Sequence, residues 1–142
     1  LVEAAEVQSW PDLLEQARAL SLRMARATLR EGFDPDGGLL YEAGPEGLIK
    51  GDKEWWPQAE AVVGLIQAYQ LSGNPTFLRA AFRCWDFIER RLVDREHGGW
   101  FRAVTRAGEV LAGEPKVSFW KCPYHNGRAC MEMAARLRAI LA

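Results

Sequence analysis

The sequence predicts an all-α fold built from helical hairpins that stack side by side. Apolar residues recur every three or four positions over four long segments, which is the period of an amphipathic helix. Tight and long connections alternate between these segments, and a unit of helix, tight turn, helix and long loop occurs twice. Repeated helical pairs form a solenoid or a closed toroid, because each pair needs neighbours to bury its apolar faces.

Local signals support each predicted helix. Pro11 and Pro75 stand where a first helical residue is expected, a position that tolerates the missing N–H of proline. Asn74 is a typical N-cap, and the segment 72–75 (SGNP) predicts a tight turn. Helices are therefore expected over residues 11–31, 57–72, 75–93 and 123–141.

Two long loops, 32–54 and 94–120, connect the remaining helices and are rich in glycine and aromatic residues. Each contains a Gly-Gly pair followed by two apolar residues, at 36–40 (DGGLL) and 97–101 (HGGWF), and short alternating runs that predict small hairpins. In a toroid of helical pairs such loops gather at one mouth. That mouth is the expected place of a ligand site.

Composition excludes several classes of protein. The 142 residues suit a single domain, and a hydrophobic fraction of 49% is enough for a core. A formal net charge of -1 argues against a nucleic-acid partner, and no apolar run approaches the roughly 18 residues of a membrane span. The three cysteines form no C-x-x-C pair, so we expect reduced thiols, a cytoplasmic location, no metal site and no cofactor.

One histidine is a candidate for proton-transfer chemistry. His125 falls in the first turn of the last predicted helix, where the positive end of the helix dipole disfavours an imidazolium. Arg128, three residues later, lies near the same face and adds a second positive charge. A neutral imidazole is a competent general base near physiological pH, although a structural role for His125 is equally compatible with this placement.

The tryptophans near two helix starts suggest a sugar ligand. A pyranose packs its apolar face on a large aromatic ring, while its hydroxyls need planar donors and acceptors. Because a residue before proline is pushed out of helical geometry, Trp56 is expected on the corner between loop and helix. The candidate binding residues are Trp55, Trp56, Trp120, Glu60, Asn126 and Arg128, with Gln58 as a further polar neighbour.

Other aromatic and polar residues are expected to be structural. Trp85 lies within the apolar stripe of the third helix and is predicted to be in the core. Trp10 and Trp100 are expected to pack rather than to bind. His97 is interpreted as a polar residue of the turn at 94–99.

Three segments together resemble the N-acylglucosamine 2-epimerase family, which includes cellobiose 2-epimerases and mannose isomerases. They are residues 53–61 (KEWWPQAEA), 94–101 (DREHGGWF) and 120–128 (WKCPYHNGR). The resemblance spans essentially the whole chain. It implies an (α/α)6 barrel, of which residues 1–142 would form the C-terminal half.

The resemblance also implies a reaction. One histidine of the family removes the C2 proton of the open-chain sugar, an enediolate forms, and a second histidine serves the opposite face. Return of the proton to C2 gives the epimer, and delivery to C1 gives the ketose. His125 matches the C-terminal catalytic histidine, and Trp120 with either Trp55 or Trp56 matches the sugar-stacking tryptophans.

The chain departs from the family pattern at its start. The segment His-x-x-Glu that carries the other catalytic histidine is absent, and residues 1–6 (LVEAAE) lack an initiator Met and resemble the middle of a helix. We therefore expect a fragment that is weak or inactive alone. Open ends of a toroid expose apolar surface, so a homodimer that covers them is predicted.

Two other functions compete with a sugar epimerase or isomerase. The first is a half-barrel module that serves oligomerisation or sugar binding without catalysis. The second is a glycoside hydrolase or lyase, which needs two carboxylates on opposite sides of the glycosidic bond. Glu54 and Glu60 are the nearest pair, but Pro57 separates them and no second acidic loop faces them.

Overall fold

The computed structural model describes residues 2–142, which are mostly helical. The four predicted helices are confirmed, and the helical character predicted for the start of the chain appears as a short helix over residues 2–7. Two of the helices continue directly into a π-helical turn, which accounts for their predicted ends near residues 31 and 93. The helices are α1 (Val2–Val7), α2 (Pro11–Ala27, extended by Thr28–Gly32), α3 (Trp55–Ser72), α4 (Pro75–Phe87, extended by Ile88–Leu92) and α5 (Tyr124–Leu141).

The predicted repeat is confirmed in the backbone. After the π-helical turn of α2, the Asp34 N–H donates to the Gly38 carbonyl at 2.9 Å, and after that of α4 the Asp94 N–H donates to the Gly99 carbonyl at 2.9 Å. Gly37, in the first copy, has φ +97° and approaches the carbonyl of Arg83 so closely that a Cβ would lie 2.6 Å from its oxygen. This turn therefore requires glycine for two independent reasons.

The tight turn between α3 and α4 forms as predicted. Gly73 ends α3 in the left-handed region at φ 67° and donates its N–H to the Tyr69 carbonyl at 2.7 Å. The Asn74 side chain accepts from the Thr76 N–H at 3.0 Å, and Pro75 is the first helical residue. Together these contacts place α4 directly against α3.

α3 is the central helix of the fold. It packs against α2, α4 and α5, and it is buried on most sides rather than along one stripe. Ala59, Val62 and Ile66 of α3 are almost wholly buried, and Phe87 and Met133 bring α4 and α5 into the same core. Trp100 is buried there too, and the partly buried Trp85 packs against it, so the packing expected of these two residues is confirmed. Trp10, which was also expected to pack, is 58% exposed.

Strands link the two long loops to each other. β1 (Glu42–Gly44) and β2 (Gly47–Lys50) form a local antiparallel hairpin, a few residues later than the first predicted run. The second predicted hairpin forms at the end of its run, where Val104 bridges Val110 in antiparallel pairing and the Thr105 N–H donates to the Glu109 carbonyl at 2.8 Å. On its other side, β4 (Ala103–Val104) pairs with β3 (Lys53–Glu54) from the first long loop, a pairing that the alternating run did not predict.

The apolar stripe of α2 is only half buried. Ala17 and Ala25 face the interior, whereas Leu13, Leu20 and Met24 are exposed by 42%, 38% and 56%. All three cysteines are free, as expected. Within residues 2–142, no helix combines the length and the apolar character that a bilayer crossing demands.

Candidate active site

The first turns of α3 and α5 meet at His125. The imidazole centroid lies 5.0 Å from the ring of Tyr124, 6.0 Å from Trp56 and 6.3 Å from Trp55. Trp56 in turn packs edge-on against Tyr41 at 6.2 Å. The residues that the sequence singled out at two helix starts, 70 positions apart, are thus brought together around one histidine.

The expected position of Trp56 is corrected. Helix α3 begins at Trp55, so Trp56 lies within its first turn and not on a corner before it. Pro57 is tolerated because N–H groups in the first turn have no intrahelical acceptor, and the steric bias on the preceding residue is a preference that packing overrides. The indole of Trp56 consequently projects from the helix beside His125 rather than from the loop.

The carboxylate of Glu60 joins the two helices, because it contacts the imidazole of His125 and pairs with Arg128. Glu60 Oε1 lies 2.8 Å from His125 Nδ1, and the other carboxylate oxygen accepts a hydrogen bond from Arg128. Burial of Glu60 raises the pKa of its carboxyl, but the hydrogen bonds from His125 and Arg128 outweigh burial, so that pKa lies below its usual range. Glu60 is therefore an anion that bridges α3 and α5.

This contact assigns the tautomer of His125. An ionised carboxylate can only accept, so the proton of a neutral imidazole is on Nδ1 and the lone pair is on Nε2. Glu60 also places a negative charge beside the ring. This charge acts against the positive end of the helix dipole and the positive charge of Arg128, the two effects predicted from the sequence. An imidazole that is oriented by a carboxylate is an arrangement that general-base catalysis can use.

Three polar atoms near this cluster have no hydrogen-bond partner among residues 2–142. They are Trp55 Nε1, Asn126 Oδ1 and Arg128 Nε, all of them buried. Buried polar groups are normally satisfied, and each exception asks for an explanation. All three belong to residues near the starts of α3 and α5, beside His125.

The two adjacent tryptophans differ in accessibility. The indole of Trp55 is 3% exposed and forms a wall, with Lys121 Nζ 5.3 Å from its ring centroid, whereas Trp56 is 36% exposed. A groove of about 380 Å³ runs between α2 and α3 and is lined by Trp56, Glu60 and Met24 among others. Trp56 and Glu60 therefore contribute to both the cluster and the groove.

Two predicted residues behave differently from the rest. Trp120 is not among the rings that surround His125 in residues 2–142; it is 78% exposed and packs edge-on with Phe119 at 4.9 Å. His97 lies in the turn at 94–99, with its Nδ1 3.7 Å from Asp94, as expected for a turn residue. The chain thus places one of its two histidines in the aromatic cluster.

Three contributors to the site were not predicted. Tyr124 is adjacent to His125 in the motif, so its sequence position was the signal. Lys121 lies in the same motif, but nothing predicted its burial, because lysine is seldom buried, and Tyr41 gave no signal because it lies in a distant loop. No cluster of three metal-ligating side chains occurs in residues 2–142.

A family model described as N-acylglucosamine 2-epimerase (GlcNAc 2-epimerase) matches residues 1–126. The chain belongs to the N-acylglucosamine 2-epimerase family. Among curated relatives, a cellobiose 2-epimerase of Bacteroides fragilis is 40% identical over 134 residues, which are 94% of this chain and 34% of that protein. The chain therefore spans about a third of the length of the relatives that it matches.

Solved structures of the family share the fold. A sugar epimerase from a ruminal bacterium superposes with a TM-score of 0.89 at 38% identity, over 95% of this chain and 34% of that one. A cellobiose 2-epimerase from Spirochaeta thermophila superposes with a TM-score of 0.78 at 42% identity, over 93% and 32%. Cellobiose 2-epimerase structures are (α/α)6 barrels, which agrees with the helical fold class predicted from the sequence.

Proposed function

We propose that the chain carries one proton-transfer face of a sugar 2-epimerase or isomerase site, with His125 as the base. The observation that carries the proposal is the 2.8 Å contact between His125 Nδ1 and Glu60, which leaves Nε2 as the atom that accepts a proton. Membership of an epimerase family supports the same assignment. Residues 1–142 would form a single domain, equivalent to the C-terminal part of a longer barrel.

The reaction follows from these groups. Nε2 of His125 takes the proton from C2 of an open-chain aldose, and the C–H electrons form the C1–C2 double bond of an enediolate. Arg128, whose pKa is raised by its hydrogen bond to Glu60, stays cationic beside the negative charge that develops. Return of the proton to C2 or to C1 then gives an aldose or a ketose.

The sugar would be held by aromatic and amide groups. We assign the stacking platform on α3 to Trp56 instead of Trp55, because a ring that is 3% exposed offers no face to a ligand. Trp120 would form a second platform on the loop before α5. Asn126 and Arg128, which each keep a polar atom without a partner within residues 2–142, would bond hydroxyl groups of the sugar.

Relatives indicate the substrate class. The matching curated proteins are named cellobiose 2-epimerases and N-acylglucosamine 2-epimerases. We propose a sugar with a free reducing end, since the mechanism requires a carbonyl next to the carbon that loses its proton. Free thiols at all three cysteines favour a reducing compartment, and we propose the cytoplasm.

Proton exchange at C2 tests this function. The purified chain is incubated in D₂O with mannose or cellobiose, and the C2 proton is followed by NMR. Because only one histidine lies in the aromatic cluster, we expect slow deuterium incorporation with little or no epimer, since a single base returns the deuteron to the face it deprotonated. Absence of exchange by a folded chain that binds the sugar would contradict catalysis.

The second candidate function is a half-barrel module without catalysis, and the exposed apolar residues of α2 favour it. Leu13, Leu20 and Met24 leave a face that association would cover. We propose that a second copy of the chain covers it, as a two-fold dimer.

Sizing chromatography at micromolar concentration is expected to show a dimer. Met24→Glu should shift the chain towards monomer, because a charge in that face opposes its burial. Val110→Glu, at another exposed apolar position, serves as the control and should leave the dimer intact. A wild-type chain that elutes as a monomer would rule out the homodimer.

A further inference from the structure

A buried lysine without a carboxylate partner lies behind the candidate site. Lys121 is 3% exposed, and its Nζ donates to the backbone carbonyls of Trp100 and Lys116, both at 2.8 Å. No ion pair joins it to an acidic group in the part of the chain that the structure describes. The other fully buried lysine, Lys53, differs, because it pairs with Asp34 and Asp36. Moving an ammonium group out of water costs free energy, and carbonyl groups offset this cost less well than a carboxylate does. The burial of Lys121 therefore needs a structural or functional explanation.

The backbone of Lys121 closes a tight turn. Its N–H donates to the Ser118 carbonyl at 3.2 Å, and the Ser118 N–H donates back to the Lys121 carbonyl at 3.0 Å. Phe119 and Trp120 occupy the tip of this turn and are 90% and 78% exposed. Two large aromatic rings are thus held in solvent by a reciprocal pair of backbone hydrogen bonds.

A second lysine fixes the same segment at its other end. Lys116 Nζ donates to Asp94 Oδ2 at 2.6 Å and to the Gly98 carbonyl at 2.9 Å. The hydrogen bond from Lys116 is the main reason that the pKa of Asp94 falls to about 2, so this ion pair persists at any physiological pH. Segment 116–121 is therefore attached at both ends to the loop that contains Asp94, Gly98 and Trp100.

The ammonium group of Lys121 also lies against Trp55, the wall of the aromatic cluster. Lys121 Nζ lies 5.3 Å from the centroid of the Trp55 ring, and the Trp55 ring lies 6.3 Å from that of His125. Burial lowers the pKa of Lys121, and the charges of Lys116 and Arg102 add to this effect. One side chain thus connects the exposed turn, the neighbouring loop and the wall of the site.

We propose that Lys121 is a positioning residue of the sugar site, which holds Trp120 at a fixed place relative to the aromatic cluster around His125. The proposal rests on the proposed function, because Trp120 is taken to bind the sugar. Its action is indirect: Lys121 orders the turn Ser118–Lys121, and the ordered turn presents a rigid ring, which lowers the entropy lost on binding.

Local proteolysis tests, without any sugar, whether Lys121 orders the turn Ser118–Lys121; this anchoring of the turn is called the clamp below. Chymotrypsin cleaves after Phe119 and Trp120, and mass spectrometry locates each cut. In Lys121→Met, which keeps the length and volume of the side chain, we expect cleavage at these two bonds to rise about tenfold while other sites stay unchanged. Lys121→Arg, which keeps the donors, should restore protection at least in part. Unchanged cleavage in Lys121→Met would overturn the proposal.

A global loss of structure gives a different result. If Lys121→Met unfolds the chain, cleavage rises at all aromatic sites, and Lys116→Met then replaces it, because that partly exposed anchor can be released at lower cost. Increased cleavage confined to Phe119 and Trp120 in that variant would support the clamp. Protection equal to that of the wild type would refute it.

A double-mutant cycle links the clamp to sugar binding. Cellobiose affinity is measured for Lys121→Met, Trp120→Ala and the double variant, with NMR titration as the readout. We expect each single variant to weaken binding by about tenfold and the double variant to weaken it no further, since Lys121 acts through Trp120. Additive losses would contradict the positioning role. If no variant and no wild-type chain binds sugar, the proposed function fails, while the proteolysis result still decides whether the clamp exists.

Discussion

Replacing His125 by alanine is expected to lower the rate of C2 proton exchange by about 10²–10⁴, which is the usual contribution of a positioned acid or base. The expectation follows from Nε2 of His125 being the basic atom of a ring that Glu60 orients at 2.8 Å. The rate is measured by NMR in D₂O with mannose or cellobiose. The stability of the variant should change little, because the imidazole is partly exposed.

Two variants make this result specific. His97→Ala removes the chain's other histidine, which lies in an exposed turn, and should leave the exchange rate unchanged. Glu60→Gln keeps the size of the orienting side chain but removes its charge, and its amide can face Nδ1 with either oxygen or nitrogen. We expect a loss smaller than that of His125→Ala. If His97→Ala slows exchange as much as His125→Ala, the assignment of the base is wrong.

Replacing Lys53 by methionine is expected to cause the largest loss of stability, about 3–5 kcal/mol, which is typical of removing one partner from a buried ion pair. Lys53 is 0% exposed, and its Nζ lies 2.8 Å from Asp34 Oδ2 and 2.6 Å from Asp36 Oδ2. Without the ammonium group, only Arg106 remains to balance the buried carboxylate of Asp34. Urea unfolding followed by tryptophan fluorescence measures the free energy of unfolding.

Acid should remove the part of this stabilisation that depends on the charge of Asp34. The hydrogen bond from Arg106 is the largest cause of a lowered pKa of Asp34, and Lys53 lowers it further against the opposing effect of burial. Because the folded pKa lies below the unfolded value of about 4, this stabilisation is fully present above that pH and is lost as the pH falls through the folded pKa.

A surface ion pair supplies the control for Lys53. Arg90 and Asp86 form an exposed pair on α4, and Arg90→Met should change the free energy of unfolding by less than about 1 kcal/mol. If Lys53→Met costs no more than this control, the buried network around Asp34 does not stabilise the fold.

Local signals in the sequence predicted local structure well. Asn74 and Pro75 fixed the start of one helix through capping and proline geometry, and both act as expected in the structure. The repeat in the two Gly-Gly turns also predicted a turn closed by the same kind of backbone hydrogen bond after each π-helical segment, although the second turn is one residue longer. These features depend on neighbours within a few residues, so a single sequence contains the information.

Contacts between distant residues were predicted only in part. Glu60 and His125 were both named as members of one site, but their direct contact across 65 positions was not foreseen, and neither was the pairing of β3 with β4. Lys53 and Lys121 lie in the motifs at 53–61 and 120–128, but their burial was not predicted, because lysine is usually exposed. Only the folded chain shows the carboxylates and carbonyls that make this burial possible.

The ladder between β3 and β4 has a consequence for exchanging loops between members of the family. Its last hydrogen bond, from the Trp55 N–H to the Arg102 carbonyl at 2.9 Å, joins one long loop to the first turn of α3. The two long loops are therefore joined by strand pairing. A single loop transplanted from a relative would lose its partner strand. Chimaeras that exchange both loops together would keep Trp56 and Glu60 in place, whereas single-loop chimaeras would displace them.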